Sequence, residues 1–107
     1  MTGVSGGGWA TTLAAAVDDR IIASFPVAGT VPIYLRSGNS IDFGDWEQTV
    51  PELLRIANYL ELYVLGASGH GRSQTQILNL YDSCCYSGVS ANTYRGVVAS
   101  VVKNIGF

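Results

Sequence analysis

Residues 2–9 read TGVSGGGW, a serine inside a run of glycines with an alanine-rich segment after it. How this stretch is read decides the rest. Gly3-Val4-Ser5-Gly6-Gly7 matches G-x-S-x-G, the pattern of a serine held at a sharp strand-to-helix turn with its hydroxyl exposed. Side chains two before and two after the serine would collide across so tight a bend, which suits glycine at both places. The backbone N–H after the serine, here that of Gly6, would open a helix and point at a developing oxyanion, with the helix N-terminus adding positive potential. The competing reading is a flexible glycine-rich terminus.

Working outward, the segment after the glycines has a helical pattern. Trp9, Leu13 and Val17 recur every four residues, and Ala10 and Ala14–Ala16 are strong helix formers. "RIIASFPVAG" is a short apolar run closed by Pro and Gly, which predicts a buried strand near 21–28. "TVPIYLRSGNSIDFGD" is turn-rich and reads as irregular. "VPELLRIANY" predicts a helix with Pro51 in its first turn. "LELYVLGAS" reads as a second buried strand near 60–66, and "RSQTQILNLYDSCC" as helical in part. After the loop "YSGVSANT", the segment "YRGVVASVVKNIG" forms a last helix with Val97, Val98, Val101, Val102 and Ile105 on one face. Strands alternating with helices predict an α/β fold: a parallel sheet of few strands with flanking helices. Two strands do not complete such a sheet: either further strands escape this reading, or other chain completes it.

The chain's 107 residues suggest one domain. It is 48% hydrophobic and only 13% charged, which argues against disorder and leaves little polar surface to spare. A net charge of −2 favours no nucleic-acid partner. No apolar run reaches the ~18 residues of a membrane span, so no membrane association is expected. No signal peptide is visible, which makes the cytoplasm the default expectation. Cys84 and Cys85 are neighbours and read as free thiols, small packing residues between Tyr81 and Tyr86. No ligand set for a metal or cofactor stands out.

"GVSGGGWATTLAAAVDDRIIASFPVAG" resembles the nucleophile-elbow region of the α/β-hydrolase superfamily, and the likeness continues through "YLELYVLGASGHGRSQTQILNLYDSCC". It covers the C-terminal half of that fold and describes residues 1–107 as a single truncated domain. The resemblance implies an esterase-like or lipase-like serine hydrolase acting on small acyl esters, with Ser5 as nucleophile and Gly6 as an oxyanion donor. It also implies the chain order nucleophile, acid, histidine. Asp82 fits the acid, since it follows the expected strand at 60–67. The family's histidine would come after one further strand, beyond Phe107, so weak or absent activity is expected. The only histidine is His70. It precedes Asp82, yet it remains a candidate base because a triad is a geometry rather than an order.

Three other readings stand beside this one. "GASGHGRS" (66–73) is one residue from a phosphate-loop pattern, with Arg72 where lysine is usual. The chain could instead be a non-catalytic remnant of a hydrolase, acting as a structural or interaction module. Its sheet edges would then favour a homo-oligomer. Trp46 and Glu47 follow the first predicted strand, where substrate pockets are often lined.

Overall fold

The computed structural model describes residues 1–36 and 43–105. Among them a three-stranded parallel sheet is flanked by four helices. In chain order these are β1 (Thr2–Val4), α1 (Gly6–Val17), β2 (Ala23–Val27), α2 (Pro51–Leu54), α3 (Tyr59–Ala67), β3 (Ser73–Gln74) and α4 (Arg95–Ile105). Three short 3₁₀ turns, Ile33–Leu35, Trp46–Thr49 and Ser90–Thr93, lie between them. The strand order is β1-β2-β3, with Gly3 opposite Pro26 and Ser24 opposite Gln74. The predicted α/β class and the strand near 21–28 are therefore present.

Two expectations are overturned. The run near 60–66 is not a strand but the body of α3. Asn58 caps it: its side chain accepts from the Glu61 N–H (2.9 Å) while the Glu61 carboxylate accepts from the Asn58 N–H (3.1 Å). That reciprocal box satisfies two otherwise unpaired donors and sets the helix start. Tyr59, Leu62, Tyr63 and Gly66 then bury one face. The stretch after it is not helical. Ser73–Gln74 form β3, and Ile77 makes one further parallel bridge to Val27. Between them the ladder is broken for a chemical reason. The Ser73, Thr75 and Ile77 N–H groups donate to the carbonyls of Ile22, Ser24 and Pro26. The return bond to the Thr75 carbonyl would have to come from the nitrogen of Pro26, which carries no proton. The expected irregular segment lies partly in residues 37–42, outside the described residues.

Helix α1 lies close against the chain that leaves β2. A Cβ on Gly8 would come within 2.6 Å of the Val27 carbonyl oxygen and 2.8 Å of the Gly29 Cα. Thr11 and Thr12 are fully buried, and their hydroxyls donate to the carbonyls of Gly7 (2.8 Å) and Gly8 (3.0 Å). The main core sits between α1, α3 and α4. Ala57, Tyr59, Leu62, Tyr63 and Tyr94 form it, with Trp9, Leu13 and Val98 packed around them. Tyr63 stacks on Tyr59 and Tyr94 and shares a 2.8 Å hydrogen bond with Thr30. Burial raises the Tyr63 phenol above its ordinary value, so it stays protonated at neutral pH.

Arg72 ties the ends of two helices together. Its guanidinium donates to Ala15 (2.5 Å) and Asp18 (3.4 Å) at the end of α1, and to Leu65 (3.0 Å) and Ser68 (2.6 Å) at the end of α3. A cation there satisfies orphan carbonyls and complements both helix dipoles. Beyond α1, the Arg20 side chain grips Asp18 (2.6 Å). Its hydrogen bonds hold the Asp18 carboxyl at about 2, against an ordinary 3.8. A depressed carboxyl stabilises the fold above its ordinary value and loses that contribution as pH falls toward 2. Asp18→Asn is accordingly expected to flatten the fall in melting temperature between about pH 4 and 2, read from thermal unfolding at several pH values. An unchanged slope would remove Asp18 from the acid response.

The Ser5 turn as candidate functional site

Ser5 joins β1 directly to α1, and its backbone is in a conformation that side chains rarely adopt, φ 57° and ψ −119°. Such a residue costs of order 1–3 kcal/mol and persists only when its surroundings hold it. Here the Ser5 N–H donates to the Val27 carbonyl (2.9 Å), and the Ser5 carbonyl accepts the first helical bond from Trp9 (3.0 Å). The turn is therefore anchored on both sides, and the Ser5 side chain is exposed. The two flanking glycines differ. A Cβ on Gly3 would strike the Gly7 carbonyl, so only glycine fits there. A Cβ on Gly7 would meet nothing within 4 Å. The second glycine of the pattern is not sterically required.

Helix α1 has no side-chain cap and no acidic residue in its first turn. Gly6, Gly7 and Gly8 precede the first intrahelical bond, so their N–H groups lack helical acceptors. Those donors and the helix N-terminus lie beside Ser5 at the end of β1, the placement an oxyanion site needs.

A cavity of about 100 Å³ opens at the turn, lined by Ser5, Gly6, Glu47, Gln48, Cys85 and Tyr86 among others. Glu47 Oε1 comes within 3.9 Å of where a Cβ on Gly6 would sit. Asp45 and Cys84 also contribute to the wall. Behind the wall lies Arg36, only 6% exposed, with its guanidinium over the rings of Tyr86 (4.8 Å) and Tyr59 (5.2 Å). It donates to the carbonyls of Val31 (2.7 Å) and Phe43 (2.9 Å) and to Gln48 Oε1 (3.0 Å). Gln48 in turn donates to the Gly29 carbonyl (2.8 Å) and its own carbonyl accepts from the Tyr59 hydroxyl (2.7 Å). This buried network pins the 44–48 wall to the chain leaving β2. Burial raises the Tyr86 phenol, the nearby Arg36 charge working against it.

The structure brings Ser5 and Gly6 together in this cavity but not the other predicted site residues. His70 lies in the turn between α3 and the start of β3, and Ser5 lies at the end of β1. In this parallel sheet these are opposite ends, on opposite edge strands. Asp82 lies on the same loop as Cys84–Tyr86, two residues outside the cavity wall. Its carboxylate accepts from the Cys84 N–H (2.8 Å) and from the Asn79 side chain (3.0 Å). The Asn79 bond, followed by the Cys84 bond, holds the Asp82 carboxyl below its ordinary range, and it is an anion at neutral pH.

Cys84 and Cys85 are not free thiols: they are joined by a disulfide. The phosphate reading of 66–73 loses its geometric basis. The loop follows a helix and leads into a strand, so no helix N-terminus faces it. Arg72 is engaged with carbonyls. Among the described residues no group of three or more His, Cys, Asp or Glu side chains could hold a metal ion, and no helix is long and apolar enough to cross a membrane. A larger cleft of about 640 Å³ runs between β3 and α4, past Gln74, Gln76, Leu78, Val98 and Val102. It has an apolar wall and does not include Ser5. The Ser5 turn is favoured over this roomier cleft because, among the described residues, a serine hydroxyl, open backbone donors and a carboxylate line one cavity there.

Sequence reasoning missed Glu47's place against Gly6, the disulfide in the wall and Arg36 behind it. The sequence sets Trp46 and Glu47 after the first strand, where pockets are often lined, but no local pattern places Glu47 against Gly6, and nothing around Arg36 or the cysteines signals a shared site. Comparison with protein-family models, with curated proteins and with solved structures found no match for the chain.

Proposed function

We propose that the chain carries a serine acyl-transfer site acting on short acyl esters. Ser5 is the nucleophile and the Gly6 N–H stabilises the oxyanion. Glu47 is the carboxylate set against the turn, placed to take the serine proton in the role first expected of His70. The observation that carries this reading is the Ser5 backbone, a rarely populated conformation at a strand-to-helix turn with open helical N–H groups beside it. The resemblance to α/β-hydrolases supports the same chemistry. Incubation with a small fluorophosphonate followed by peptide mass mapping tests it. An adduct on Ser5 is expected. Labelling spread over other serines at equal rates would count against the proposal.

A second reading, an interaction module derived from a hydrolase, is favoured by the two free sheet edges. The outer side of β1 is unpaired among the described residues, and Val4 on it is 67% exposed. The free side of β3 faces the apolar cleft. Unpaired strand edges with few charges invite pairing with a second copy. Light scattering behind a sizing column is expected to give more than one 11.3 kDa chain at micromolar concentration. A single-chain mass would end this reading.

A further inference from the structure

We infer that the Cys84–Cys85 disulfide is the specificity-determining wall of the Ser5 cavity, restricting it to the shortest acyl groups. This inference rests on the Ser5 reading above and names the substrate range of that site.

Both cysteines line the cavity with Ser5, Gly6 and Glu47. Its volume of about 100 Å³ is roughly three times a water molecule's share of the liquid, so an acetyl-sized group fills it. What closes it on this side is the short loop 82–86, which reaches the wall without regular structure of its own. The bond between neighbouring cysteines joins the two side chains into a small ring through their own peptide bond. It leaves that peptide fewer conformations than two thiols would allow. Either side of the ring is tied down. On one side the Cys84 N–H is bound to Asp82, which also holds Asn79. On the other, Tyr86 adopts φ 61°, and its hydroxyl lies where a Cβ on Gly44 would sit. Tyr86 also covers the Arg36 guanidinium, and Arg36 donates to its hydroxyl (3.3 Å). The ring thus lies between two anchored points, Asp82 before it and Tyr86 after it. With the sulfurs joined, the wall cannot retreat from a longer chain. With them reduced, the peptide between Cys84 and Cys85 regains conformations, and the stretch of wall between the Asp82 and Tyr86 anchors can give way to a longer chain.

Opening the wall is a two-electron reduction. A trialkyl phosphine takes up one oxygen from water as it is oxidised, and each sulfur leaves the broken S–S bond with a proton.

The test compares p-nitrophenyl acetate, butyrate and hexanoate with the protein oxidised and after phosphine reduction, the state being confirmed by a mass gain of two hydrogens. The Cys84→Ala/Cys85→Ala double variant is run beside it, and amide hydrogen exchange is followed at 84–86. The oxidised protein is expected to favour acetate over hexanoate in kcat/KM by about tenfold or more, as a pocket of fixed size rejects extra methylenes. Reduction, and the double variant, should narrow that preference about tenfold, with hexanoate KM falling, and should speed exchange in that segment. A purely structural bond would instead lower all three esters together and leave their ratio fixed. An unchanged ratio or unchanged exchange overturns the inference. Ser5-independent turnover overturns the Ser5 reading, and the exchange measurement then still decides whether the disulfide holds the wall.

Discussion

Ser5→Ala is expected to lower kcat/KM for hydrolysis of p-nitrophenyl acetate by about 10³-fold or more, the residual rate coming from the oxyanion site and binding alone. The substitution removes only the hydroxyl. The strained turn is held by backbone bonds to Val27 and Trp9, which alanine keeps. The variant should therefore fold, with an unchanged far-ultraviolet circular dichroism spectrum. Glu47→Gln should lower the rate by about 10²-fold if its carboxylate accepts the serine proton. His70→Ala should leave it alone, because His70 sits at the opposite edge of the sheet. Equal rates for the parent and Ser5→Ala would show that Ser5 carries no reaction, and a large loss in His70→Ala would restore the histidine as base.

The largest effect on stability is expected at Gly29. A Cβ there would enter the backbone of α1 at Gly8 and Trp9. Neither side can yield cheaply, since the atoms in the way are main chain and Gly8 is itself packed on the Val27 carbonyl. Overpacking a core costs about 1–3 kcal/mol, and a clash between two backbones belongs at the upper end. For a domain of this size that lowers the melting temperature by on the order of 10 °C or more. Because Val27 also anchors Ser5, the loss should reach the Ser5 turn as well. Gly7→Ala is the matching control. Its Cβ meets open space inside a helix, and replacing a helical glycine is expected to be neutral or to add up to about 1 kcal/mol. A Gly29→Ala protein as stable as its parent would refute the close approach of α1 to the chain leaving β2.

The parts legible in the sequence were those set by local rules. The Ser5 turn could be read against a flexible glycine terminus because a helical pattern follows the glycines, α1 and α4 carry clear periodic patterns, and β2 is an apolar run closed by Pro and Gly. The error at "LELYVLGAS" shows the limit. An apolar run does not by itself distinguish a buried strand from a buried helix. The deciding signal lay just upstream, in Asn58 followed three residues later by Glu61, and in the spacing of Tyr59, Leu62, Tyr63 and Gly66. The third strand was hidden for the opposite reason. "SQTQI" is polar, lies at an edge, and is cut short by a proline more than forty residues earlier in the chain. The disulfide was missed because adjacent cysteines seldom pair. Of the wall of the site only Glu47 was legible, as a residue after the first strand where pockets are often lined; that Arg36, Glu47 and Tyr86 meet was not, because they do so only after the sheet and α3 have assembled.

Arg72 has a consequence for how the chain is born. The carbonyls it binds at Ala15 and Asp18 leave the ribosome more than fifty residues before it does. At ordinary rates of synthesis that is a delay on the order of 3–10 s. During it the end of α1 has no cation to bind, and β2 has no partner on one side. The Ser5 turn can form early, since Val27 is close behind it, but the frame that locks it is completed late. A pause in translation before codon 72 would leave a half-built sheet exposed, and a chaperone that binds apolar strands would find it then.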